Sequence, residues 1–141
     1  MKIKTVLLGT VVSLASASTF AGQIVDVPVD IDLDNRLAVG NMTTARFSEN
    51  EFEAIGCGVR QWAFPDGTSF SWGFCQAKVE EGANQLCTTQ NPELLDTMKA
   101  SSDFAFVTFR WDENDECTYV GFSTQSQYIP ELKDKKDKKD K

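Results

Sequence analysis

The sequence predicts a mainly β domain, an antiparallel sandwich or small barrel that carries one short α-helix and is closed by two disulfides. Three observations carry that prediction. Apolar and polar residues alternate with a period of two, a Pro-Asp-Gly turn joins two β-rich runs, and four cysteines stand in a chain that begins like an exported protein. A period of two marks a half-buried strand, and several short strands with little helical pattern favour sheets packed on one another.

The 141-residue chain opens with Lys2 and Lys4, an apolar run from Val6 to Ala15, and small residues ending at Ala21. That order is a secretory signal, expected to be removed after Ala21. The apolar run is shorter than the roughly 20 residues a spanning helix needs, so the product is expected to lack a membrane anchor and to be secreted or periplasmic. Residues 22–132 are then expected to form one disulfide-stabilised domain. Residues 133–141 contain only Lys and Asp, and with no apolar side chain to bury they are expected to be a disordered tail.

Along the domain, Val25 to Asp34 alternates apolar residues with aspartates and one proline, which reads as a half-buried strand. Pro28 cannot donate to an interior ladder and places this strand at a sheet edge, where the acidic face opposes edge-to-edge association. Arg36 to Phe47 reads as a weaker second strand, and Ser48 to Glu53 as an acidic connection. Ile55 to Ala77 reads as a hairpin around Pro65-Asp66-Gly67, with proline set for a type I turn and glycine for the left-handed position.

Placing Phe64 opposite Thr68 sets Trp62 against Phe70, Arg60 against Trp72, Gly58 against Phe74 and Cys57 against Cys75. The cysteines then occupy a non-hydrogen-bonded pair, where side chains come closest. Past a turn at Glu80-Glu81-Gly82, Asn91 and Pro92 cap and start a short helix over 92–100, with Leu94, Leu95 and Met98 on one side. Phe104 to Trp111 is apolar on both faces and is expected to be the central strand. Asp112 to Glu116 turns the chain into a last strand, Cys117 to Thr124.

Cys57, Cys75, Cys87 and Cys117 are expected to form two disulfides, since an even number of cysteines in an exported chain meets an oxidising compartment. The hairpin register pairs Cys57 with Cys75 and leaves Cys87 for Cys117. One bulge at Gly56, Gly58 or Gly73 would break that register and reopen the two other pairings. A zinc site needs close cysteine pairs or histidines, and the chain has neither. Asp30 to Asn35 begins like a calcium loop, but Asn35 stands where glycine is required and Asn41 where a bidentate glutamate belongs. No metal or cofactor is expected. Asn41-Met42-Thr43 formally matches a glycosylation acceptor.

Residues 22–132 hold 18 Asp/Glu against 6 Lys/Arg, a balance of −12, while the tail carries +3. An acidic body repels phosphate backbones and anionic membranes, which excludes nucleic acid as the expected partner. Without histidine the Ser-His and Cys-His nucleophile systems are absent, and no spacing singles out a carboxylate pair. The expectation is a non-catalytic monomer.

One hairpin face bears Trp62, Phe64, Phe70, Trp72 and Phe74; the other bears Cys57, Val59, Gln61, Ala63, Ser69, Ser71 and Cys75. Five aromatics are the richest source of core in a domain of this size, so the aromatic face is expected to point inward with Trp62 at its rim. The competing role is a ligand platform, with Trp62 and Trp72 stacking on sugar rings and Arg60 lying over Trp72. Two functions fit these features. One is a binding or adhesion-type module for a glycan or surface protein; the other is an acidic inhibitor of a secreted basic enzyme such as lysozyme.

Overall fold

The computed structural model describes residues 22–130; the proposed signal segment and the Lys/Asp tail lie outside them. The alternation of the first segment persists inward through Val25, Val27, Val29 and Ile31. Only Asp30–Asp32 is a regular strand, β1, preceded by a single ladder-like bond from Asn41 N–H to the Val27 carbonyl (2.9 Å). The expected strand ends early because Asp32 turns the chain. Its carboxylate accepts from the Asn35 backbone (2.9 Å) and side-chain amide (2.7 Å), and Leu33 is left exposed.

The expectation of one strand over Arg36 to Phe47 is corrected. Leu37–Asn41 is strand β2, and Met42–Phe47 is a short helix, α1. The Asn41 carboxamide oxygen accepts from the backbone N–H of Thr43 (2.7 Å) and Thr44 (3.2 Å), a cap that overrides the β preference of the threonines. The formal glycosylation asparagine is therefore 1% exposed and engaged in capping.

Strand β3, Ala54–Ala63, and strand β4, Ser69–Glu80, form the expected hairpin with no break in register from Ala54 opposite Lys78 to Ala63 opposite Ser69. Gly67, at φ 86°, supplies the left-handed turn position, and Gly82, at φ 84°, does the same after β4. Strand β5, Ala83–Thr89, was not expected. It has no period-two apolar signal because Leu86 faces outward, while Cys87 and Thr89 are its buried residues. Helix α2, Pro92–Lys99, follows as expected, with Asn91 capping Glu93 and Leu94.

Strand β6 runs Phe106–Trp111 and β7 runs Cys117–Ser123. Phe104 was expected inside β6, but its φ of 62° takes it off the strand and it is exposed. The strands form two antiparallel sheets, ordered β1-β2-β6-β7 and β3-β4-β5. β6 is thus interior, as read from its two apolar faces. Val107, Phe109 and Trp111 are buried, and Phe106 on the other face stacks against Tyr128 of a 3-10 turn at Ser126–Tyr128 (5.7 Å).

The two sheets share one core, to which the first contributes Ala38, Val107, Phe109 and Val120 and the second Ile55, Cys75, Ala77 and Cys87. Both expected disulfides are present. Cys57–Cys75 crosses the hairpin with Cα atoms 4.0 Å apart, and Cys87–Cys117 ties β5 to β7, and so one sheet to the other, at 5.1 Å. No helix among the described residues is long and apolar enough to cross a membrane, and two disulfides fit an oxidising compartment.

Helix α2 lies on the inner face of the hairpin at Gly73. A Cβ there would stand 2.6 Å from Met98 Sδ and 2.8 Å from Leu95 Cδ2. Gly73→Val should therefore displace α2 at a cost of about 1–3 kcal/mol, measured as a lower urea midpoint with unchanged slope.

Candidate functional site

The expected inward orientation of the aromatic face is overturned. Ile55, Cys57 and Val59 of β3 share the inner face with Gly73, Cys75 and Ala77 of β4, because the sulfurs of Cys75, Cys87 and Cys117 lie within 4.8 Å of one another in the core. These are two neighbouring bridges and leave no free thiol among the described residues. Residue alternation then sends Arg60, Trp62, Phe70, Trp72 and Phe74 to the opposite face, which meets solvent. Trp62 is 47% exposed, Phe64 50% and Phe70 40%; Trp72 and Phe74 are half-buried.

Beyond α2 the hairpin leaves the body. Every residue from Arg60 to Phe70 is exposed, so this stretch is an arm with aromatics on one face and Gln61, Ala63 and Ser69 on the other. Trp62 and Phe70, directly opposite across the ladder, bring their ring centroids to 5.7 Å at a 37° tilt. Trp72 and Phe74, two residues apart on β4, are stacked at 5.3 Å and 28°. The Phe74 ring lies over Gly58, where a Cβ would approach it to 3.1 Å, so this glycine lets the ring lie flat on the sheet.

The structure brings together all three residues singled out from the sequence, with one change of partner. Arg60 sits over Phe74, its guanidinium carbon 5.1 Å from the ring centroid, and not over Trp72. It is opposite Trp72 in register, and its side chain reaches the diagonal neighbour. Gln76 donates to Asn84 (3.0 Å) further along the same face, beside Leu86. Phe70 and Phe74 complete the platform and were read from sequence as core.

Charge separates this face from the rest of the molecule. Strands β3 and β5 contain no acidic residue and β4 has only Glu80 at its end, in a domain with 18 acidic side chains. The perturbed carboxylates sit in turns. The Thr68 hydroxyl (2.7 Å) and backbone N–H (2.9 Å) hold the Asp66 carboxyl below its ordinary 3.8. Asp32 is lowered by the Asn35 side-chain and backbone amides, and Asp112 by the backbone N–H groups of Glu116 and Asn114.

A carboxylate with a lowered folded pKa stabilises above its unfolded value and loses that contribution as pH falls through the folded one. Amide exchange at Asn35, Thr68 and Glu116 should therefore accelerate, beyond its intrinsic pH dependence, as pH is taken from neutrality to below 3.8. Asp66→Asn should remove the effect at Thr68 alone.

Scanning the chain against protein-family models gives no match, and searches of the curated proteins and of the solved structures give none either.

Proposed function

We propose that this protein is a non-catalytic binding module that recognises a glycan through the aromatic face of the β3–β4 arm. The observation that carries this reading is the exposure of Trp62, Phe64 and Phe70 on a projecting ribbon, continuous with the stacked Trp72 and Phe74. Exposed contiguous aromatic surface is costly in water and marks an interaction site. The flat C–H face of a sugar ring stacks on such a surface, while Gln76, Asn84 and Arg60 offer hydrogen bonds to its hydroxyls. With Glu80 at the far end of β4 as the one carboxylate of these three strands, the face is open to neutral and anionic sugars. The absence of histidine, the commonest general base near neutral pH, supports a role without catalysis.

Affinity electrophoresis through gels containing neutral and anionic envelope polysaccharides tests this reading. The wild-type domain should be retarded by at least one polysaccharide. Trp62→Ala/Phe70→Ala should migrate at least fivefold closer to the unretarded position, with its unfolding midpoint nearly unchanged. Retardation equal in both proteins, or in neither, rejects the arm as a glycan platform.

The balance of −12 favours a second reading, inhibition of a secreted basic enzyme by charge-steered docking. That association would slow steeply between low and moderate salt, whereas ring stacking would change little.

A further inference from the structure

Away from the arm, the N-terminal segment, α1 and the 3-10 turn enclose a half-open cavity of about 790 Å³. We propose that it is a second binding site, for a cationic peptide segment with apolar side chains. This proposal is independent of the glycan reading.

Four features of the cavity select that class. Its volume is that of a ligand site, and its wall is largely apolar, with Ile24, Pro28, Phe47 and Ile129 among the lining residues. Phe47 is 72% exposed at the end of α1, an aromatic anchor that enters none of the ring pairs among the described residues. Among the described residues, the only charges on the wall are the carboxylates of Asp26 and Glu53, with no Lys or Arg beside them there. An anionic ligand is therefore disfavoured and a cationic one attracted.

The fourth feature is a donor without an acceptor. Asn41 lines the cavity at 1% exposure, and its oxygen is identified by the two backbone N–H groups it accepts while capping α1. Its Nδ2 is then the opposite end of the amide, buried and without a hydrogen-bond partner among the described residues. Such a group is costly to leave unmade and is satisfied by a carbonyl oxygen. Neither neighbouring hydroxyl is its acceptor: Thr43 Oγ1 donates to the Tyr128 carbonyl (2.9 Å), and Thr44 Oγ1 accepts from Val27 N–H (3.1 Å). A peptide supplies apolar side chains for Phe47 and Ile129 and Lys or Arg for Asp26 and Glu53, and its backbone carbonyls are the acceptors that Asn41 Nδ2 lacks once the wall over this closed-off amide gives way to admit them.

Titration of the isotope-labelled domain by three ten-residue peptides tests the proposal: alternating Leu-Lys, oligolysine, and alternating Leu-Glu. The Leu-Lys peptide should bind at least tenfold more tightly than either control and shift amides of Ile24, Thr43, Phe47 and Ile129. Phe47→Ala should weaken it about tenfold. Glu53→Gln, which keeps the acceptor for Val29 N–H, should weaken it a few-fold. Trp62→Ala/Phe70→Ala on the arm should leave it unchanged. Equal binding of oligolysine, shifts confined to the arm or to the acidic Asp112–Glu116 turn, indifference to Phe47→Ala, or no binding at all would each overturn the site.

Discussion

Replacing both Cys87 and Cys117 with alanine should lower stability by about 3–5 kcal/mol, the upper part of the range for a native disulfide closing a loop of this size. The bridge spans 30 residues and is the disulfide that joins the two sheets, whereas Cys57–Cys75 lies within one hairpin already registered by its own ladder. Cys87 and Cys117 are also fully or nearly fully buried, so their loss leaves under-packed space between Phe109, Trp111 and the second sheet. In a thermal melt the double variant should unfold on the order of 10–20 °C below the wild type. Cys57→Ala/Cys75→Ala should lose less, because Cys57 is partly exposed at the sheet's margin. A larger loss from the hairpin bridge would show that the sheets are joined by something other than this staple.

The second large effect separates core aromatics from surface ones. Phe109 has no exposed surface, lies on the interior strand β6 and tilts against Trp111 at 5.8 Å. Phe109→Ala should cost about 3–5 kcal/mol, by lost apolar contact plus the cavity left behind. Trp62→Ala removes a larger side chain and should cost less than about 1 kcal/mol, since Trp62 sits on the arm and touches mainly Phe70. Paired urea titrations of the two variants check the contrast. Comparable losses would mean that the arm's aromatics are packed as core.

That contrast also marks how far the sequence was legible. The hairpin register was readable to the residue, because Pro65-Asp66-Gly67 sets the turn and a period of two propagates from it without a bulge. The cap of α2 and the interior position of β6 followed from equally local signals, and Cys87–Cys117 by elimination once the register had paired Cys57 with Cys75. Which hairpin face is inside was not decided by composition, since both readings use the same alternation and differ only by a flip. A signal was present, however. A Cys87–Cys117 bridge to another element must cross the core, and the face of Cys57 and Cys75 follows it inward once β5 is placed beside β4.

Two elements were missed for different reasons. In β5 the outward residue is leucine and the inward ones are cysteine and threonine, so burial there runs against hydropathy. In α1 one capping asparagine redirects a threonine-rich stretch that reads as strand. The cavity beside α1 was illegible from sequence because its wall is assembled from three segments far apart in the chain.

The arm's role as an outward aromatic platform is tested most directly by the three indole N–H resonances during titration with a retarding polysaccharide's oligosaccharide. Trp111, 6% exposed in the core, is an internal control. The account predicts that the Trp62 and Trp72 indole signals shift on addition of oligosaccharide while that of Trp111 stays in place. A spectrum in which Trp62 and Trp72 stay still, or in which Trp111 moves with them, would contradict it.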